Sequence, residues 1–225
     1  MFFEVVFIAL LALLPMVNPP TTATLVLGLG KGMARDHLRR QVDLAAIYLF
    51  ITLCVTFFIG SSILDLFGIS IPGLRLAGGL IIGFIGFRML FPPPPVATGP
   101  TQDPLLHIAF VPLTIPSMCG PGTMALVISG AAQIAGLPEE YDRMTIYAGM
   151  VMAFALTALI SWGVLKLADP VYHLLGASGI DAITRIMGFL LVCMGMQFCI
   201  NGVKEVAQDP VFHTAPPAQS ALPPG

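Results

Sequence analysis

Six stretches without Asp, Glu, Lys or Arg locate the candidate spans of this chain: residues 5–30, 44–64, 76–87, 104–138, 144–165 and 186–203. A helix needs about 20 apolar residues to cross the hydrocarbon core of a bilayer. Five of the runs reach or approach that length. The third is short, but Arg75 and Arg88 at its edges have stems long enough to carry their charges toward the headgroups. The runs are continuous, without the alternation of a β-barrel. Backbone facing lipid must be bonded internally, which leaves helices. The chain therefore reads as all-α and polytopic, with six spans at roughly 3–30, 44–64, 73–91, 105–135, 144–167 and 182–203.

Composition supports this. The 225 residues are 56% apolar and 10% charged, against roughly 45–50% and about 25% in a soluble domain. So few charges cannot cover a water-facing surface, and the mean hydropathy is +0.91. The net charge of -2 and the lack of a basic tract give nucleic acid no footprint. Residues 2–14 lack a basic leader and an A-x-A site, so they read as a retained first span. Cys54, Cys119, Cys193 and Cys199 all fall within spans and read as small apolar packers.

Basic residues orient the spans. Loop one holds Lys31, Arg35, Arg39 and Arg40; Arg88 enters loop three and Lys166 enters loop five. Placing these loops in the cytoplasm puts both termini outside it. The Pro/Ala-rich tail at 208–225 reads as disordered.

The two halves resemble each other. Pro15-Met-Val-Asn-Pro-Pro20 aligns with Pro116-Ser-Met-Cys-Gly-Pro121, and Thr22, Leu25 and Val26 align with Thr123, Leu126 and Val127, at an offset of 101. Arg75-Leu-Ala-Gly78 aligns with Arg185-Ile-Met-Gly188 at an offset of 110. Three spans per half means that the second half is inverted. Weak inverted symmetry is a mark of secondary transporters. The expected organisation is a first three-helix repeat at 1–91, a Pro-rich linker at 92–104 and a second repeat at 105–207.

The first span of each half is interrupted. Asn18-Pro19-Pro20 and Gly120-Pro121-Gly122 lie near the centres of spans one and four. Proline removes a backbone donor and pushes the preceding residue out of the helical region. Each span should then be two half-helices meeting near mid-membrane, where unwound backbone is tolerated only if protein or water covers it. The second half-helix begins with free N–H groups and partial positive charge. The expected substrate site combines Asn18, Thr21 and Thr22 with Gly120, Gly122 and Thr123.

On these residues, with Gly68-Ile69, Arg75-Leu-Ala-Gly-Gly79, Met89-Leu90, Val111-Pro-Leu-Thr-Ile-Pro116 and Thr184-Arg-Ile-Met-Gly188, the chain resembles the MarC family of integral membrane proteins over about residues 5–203. That family is similar in architecture to the LysE-type exporters. The resemblance implies an inner-membrane location and transport of small neutral amino acids.

Arg75 and Arg185 begin spans three and six, toward opposite membrane faces. They are gates or interfacial anchors, with Asp65 and Asp181 as candidate partners. The G-x-x-x-G at Gly79 and Gly83 permits close helix packing, with a homo-oligomer face as the alternative. Asp43 and Asp169 read as solvated span ends, and His37, His107, His173 and His213 as scattered loop or interfacial residues. No metal-ligand spacing, cofactor fingerprint or catalytic motif stands out, so neither a metal, a cofactor nor an enzyme is expected. The leading reading is a secondary transporter of a small zwitterion by alternating access. A channel, or a structural or regulatory membrane protein, is the alternative.

Overall fold

The computed structural model describes residues 1–30, 33–92, 107–135, 137–138 and 142–208. The linker assignment at 92–104 and the tail from 209 onward fall almost entirely outside them. The elements are α1 (Phe2–Val17), α2 (Pro19–Leu29), α3 (Arg35–Leu66), α4 (Ile71–Leu90), a wide-turned segment Ala109–Met118, α5 (Pro121–Ala135), α6 (Arg143–Lys166) and α7 (Ala168–Gln208). No strand occurs among the described residues. Five stretches are long and apolar enough to cross a membrane. The Ala109–Met118 and α5 pair, bent by 64°, makes a sixth when counted as one span.

Sequence chemistry sets the element ends. Ser70 begins α4, its hydroxyl accepting from the Gly73 N–H at 3.2 Å, with Pro72 in the first turn where its missing donor costs nothing. Asp142 caps α6 through the Met144 N–H. The Thr145 hydroxyl also donates to Asp142, and these bonds hold the Asp142 carboxyl below its ordinary pKa.

The core is built around α3. Leu49, Leu53 and Phe57 are buried against Leu13 and Val17 of α1, Leu113 and Met118, and Phe154 of α6. The Phe57 ring meets those of Phe154 and Tyr147 edge to face, at centroid distances of 5.4 and 5.8 Å. Large apolar side chains such as Phe3, Phe58, Leu80 and Phe84 face outward, as a lipid-facing perimeter requires.

Between α4 and α7 the backbones nearly touch. A Cβ at Gly79 would sit 2.6 Å from the Gly195 carbonyl oxygen, and one at Gly86 would sit 2.5 Å from that of Gly188. Lipid tails are as apolar as leucine, so van der Waals contact must hold such a pair, and small residues permit it. The pairing is antiparallel: the start of α4 lies beside the end of α7, and Gly86 beside Gly188. The Gly79 side of the G-x-x-x-G stretch is thus used within the chain.

Three expectations need correction. The first half of span four is not a regular half-helix. Val111 and Ile115, each preceding a proline, are extended at φ/ψ of -123/123 and -116/125, as the proline ring demands. Hydrogen bonds from Leu113 to Ile108 and from Cys119 to Thr114 skip five residues. The last span is longer than expected, and its helix is interrupted at Gly176, φ 65, a conformation glycine adopts without steric cost. Finally, Asp43 is not merely a solvated end: it pairs with Lys166 at 2.9 Å and accepts from the Trp162 indole at 2.6 Å.

Candidate functional site

Both interruptions read from the sequence are present. The first is one residue wide. Asn18 is left-handed at φ 46, ψ 61, at once the end of α1 and the start of α2. Asparagine tolerates this conformation better than most residues. Pro19 and Pro20 then open α2, so its first two positions offer no N–H. At the second interruption, Cys119 and Gly120 separate the wide-turned segment from α5, which opens on Pro121. A Cβ at Gly120 would lie 2.8 Å from the Pro116 carbonyl oxygen. Only the single Pro121 opens this helix, so Gly122 and Thr123 present first-turn N–H groups outside intrahelical bonding.

The breaks meet. The Thr22 hydroxyl lies 2.7 Å from the Ser117 hydroxyl, and a Cβ at Gly122 would come within 3.2 Å of Met16 Cε and 2.9 Å of Ile82 Cγ1. Thr123 donates back across its own break to the Met118 carbonyl at 3.3 Å. A cavity of about 60 Å3 lies between Met16, Ile82, Ser117, Gly120, Gly122 and Thr123. The space is on the scale of a few water molecules.

Two polar atoms on the first break are buried without a partner: Asn18 Oδ1 and Thr21 Oγ1. Asn18 is 6% exposed, and its amide nitrogen has only a 3.5 Å contact to the Met89 sulfur, a weak acceptor. Buried oxygens usually have partners, so an exception calls for an explanation.

Nothing in the sequence pointed to the contacts made by the Ser117 hydroxyl and the Met89 sulfur. The proline pattern around Ser117 was visible; its facing of Thr22 depends on how the halves pack.

Arg75 and Arg185 have different surroundings. Arg75 is buried on α4; its Nε donates to Ser129 of α5 at 2.7 Å, and its guanidinium pairs with Glu205 of α7. It thereby ties three helices together. Glu205 Oε2 remains buried and unpartnered. Arg185 is exposed and donates to the Leu90 carbonyl at 2.8 Å. Asp181 is likewise exposed, and the Asp65 side chain lies outside the described set. Arg75 pairs with Glu205, which lies beyond the last charge-free run; the expectation for Asp65 falls on a side chain outside the described set.

His37 and His107 are not scattered. Their ring centroids lie 5.9 Å apart, flanking the buried Gln41. Gln41 Oε1 accepts from the Ile108 and Ala109 N–H groups at 3.1 and 3.0 Å, and its Nε2 approaches both imidazoles at 3.4 and 3.3 Å. This anchors the entry to the irregular half of span four. No grouping of three or more metal-ligating side chains occurs among the described residues.

Comparison with known proteins agrees with this architecture in extent. No solved structure matches the chain. The inner membrane protein MarC of Escherichia coli strain ATCC 8739 is 45% identical over 213 residues, covering 91% of this chain and 96% of that relative. Its counterparts in the UTI89 and SMS-3-5 strains are 44% identical with the same coverage. The model of the MarC family integral membrane proteins matches residues 3–207. With nearly the whole length matched both ways, the chain belongs to the MarC family of integral membrane proteins.

Proposed function

We propose that this protein is a secondary transporter of small neutral amino acids or similar small zwitterions, working by alternating access, with its substrate site where the two helix breaks meet. The observation that carries the reading is the meeting itself. Thr22 and Ser117 join the breaks, and on the first break Asn18 Oδ1 and Thr21 Oγ1 are buried without partners, although the small cavity is lined from Ser117, Gly120, Gly122 and Thr123 and not by them. Leaving such oxygens unpaired in an apolar interior is costly, so a ligand that satisfies them gains what the empty site lacks.

The two breaks suit opposite ends of a zwitterion. Pro19 and Pro20 remove two of the donors at the start of α2, while Asn18 and Thr21 add oxygens that can accept from an ammonium. The start of α5 keeps the Gly122 and Thr123 N–H groups, which suit a carboxylate. A 3+3 inverted repeat would bring such a pair of breaks together at its pseudo-axis. The cavity is too small for an amino acid as it stands, so loading requires the Thr22–Ser117 contact to part. Arg75, tied to Ser129 and Glu205, is the closed gate at one end in this reading, and the exposed Arg185 belongs to the other.

Uptake into proteoliposomes of a panel of labelled amino acids, under imposed proton and sodium gradients, tests this. Saturable, stereospecific flux is expected. Flux that does not saturate would make the protein a channel, and absence of flux across the panel would remove the transport reading.

A further inference from the structure

A space larger than the cavity at the helix breaks lies away from them, at the end of the bundle where α2 ends, α3 begins and α6 ends. It is a pocket of about 460 Å3. Its walls are apolar, formed by Val26 of α2, Leu38 and Val42 of α3, and Leu165 of α6. Its charged lining is three bases, Arg35, Arg39 and Lys166, against one acid, Asp169. Val26 is almost fully buried and stands one helical turn beyond Thr22, separating this pocket from the breaks.

The bases are not equivalent. Lys166 is already engaged, paired with Asp43 at 2.9 Å and lying 4.3 Å from the centre of the Trp162 ring. Arg35 and Arg39 are exposed and have no ion-pair partner among the described residues. They are four residues apart on α3, so they share a face one turn apart. Two guanidinium forks at that spacing suit phosphate oxygens. The ends of two membrane-crossing helices fix the depth of the site at the headgroup level, where a basic pocket between helices can take a lipid headgroup.

We propose that this pocket binds an anionic phospholipid, with the phosphate on Arg35 and Arg39 and the glycerol and upper acyl chain along Val26, Leu38, Val42 and Leu165. The shared chemistry, a phosphate oxyanion, is also that of free phosphate. The apolar walls favour the lipid, because inorganic phosphate gains nothing from them.

The single tryptophan of the chain makes the test direct. Trp162 touches Lys166 at the pocket and also borders a lipid-facing groove with Asp43 and Phe50. The protein is reconstituted in vesicles of mixed composition in which either phosphatidylglycerol or phosphatidylcholine carries brominated acyl chains. Quenching of Trp162 then gives the relative affinity for the two headgroups. A severalfold preference for phosphatidylglycerol is expected. It should fall to unity in Arg35→Gln/Arg39→Gln and persist in Arg35→Lys/Arg39→Lys in reduced form. It should also persist in Arg40→Gln/Arg88→Gln, which removes equal charge from the same end but outside the pocket. Equal quenching by both lipids in the unaltered protein overturns the proposal. So does a preference that survives Arg35→Gln/Arg39→Gln, or one that falls equally in both Gln pairs. Abolition of the preference by inorganic phosphate, but not by sulfate at equal ionic strength, would assign the pocket to soluble phosphate and overturn the lipid.

Discussion

Thr22 and Ser117 stand 95 residues apart in the chain, yet their hydroxyl oxygens are 2.7 Å apart in the fold. Thr22 is completely buried and also lies 3.5 Å from the Asn18 carbonyl. A hydroxyl has one hydrogen to donate and two lone pairs to accept with, so the pair can satisfy both residues without water. The contact therefore fastens one break to the other.

Removing either member should destabilise the closed arrangement. Thr22→Val and Ser117→Ala are each expected to cost about 0.5–1.5 kcal/mol, the net worth of one hydrogen bond, plus the penalty for the stranded partner. The double variant should cost less than the sum of the singles, because neither hydroxyl is then left alone. Thermal unfolding in detergent across the four proteins measures this; strict additivity would mean that the two hydroxyls do not interact.

Asn18 allows backbone and side chain to be separated. At φ 46, alanine pays roughly 1–2 kcal/mol for the left-handed conformation, whereas glycine pays no such steric cost. Asn18→Gly should therefore fold at least as well as Asn18→Ala while both lose Oδ1. If Oδ1 binds substrate, both variants lose transport, and Asn18→Gly loses it with its stability largely kept. Normal transport in Asn18→Gly would reduce Asn18 to a backbone role.

The parts of the fold legible in the sequence were those fixed by local chemistry. Charge-free runs marked the spans because an ionised side chain cannot sit cheaply in hydrocarbon, and Asn18-Pro19-Pro20 marked a break because proline acts on its own neighbours. Pro112 and Pro116 were equally visible. They drive Val111 and Ile115 into extended geometry, so the irregular backbone begins well before the expected break at Gly120 and Gly122. Contacts across the bundle were not legible. Nothing local to Arg75 points to Glu205, 130 positions onward by number, and the pairing of His37 with His107 around Gln41 depends on how α3 packs against the entry to span four. The candidate site was readable as two separate breaks, but not Ser117's part in joining them.

Orientation follows from the distribution of bases. Lys31, Arg35, Arg39, Arg40, Arg88 and Lys166 all flank loops one, three and five, so these loops should lie in the cytoplasm. A reporter fused after Gln208, the last residue of α7, should then be active when it needs the periplasm and silent when it needs the cytoplasm. The reverse pattern would overturn the assignment of loops to sides.

The last prediction separates Arg75 from Arg185. Arg75 is 7% exposed, with bonds to Ser129 and Glu205 on two other helices. Arg75→Gln leaves Glu205 with one oxygen already unpartnered and the other newly so. A stranded buried polar group costs about 1–3 kcal/mol, more when charged. Glu205 is partly exposed on its side chain, so water offsets some of this, and the expected loss is about 1–2 kcal/mol. Arg75→Gln combined with Glu205→Gln should recover part of it, since two neutral amides can bond to each other. Arg185 holds one carbonyl at an exposed position, and Arg185→Gln should stay within about 0.5 kcal/mol of the unaltered protein. Unfolding midpoints in detergent give the stabilities, and proteoliposome uptake gives the gate. If the Arg75–Glu205 contact is only an anchor, the double variant transports in proportion to its folded fraction. If it is a gate, transport changes in the double variant beyond what its recovered stability explains.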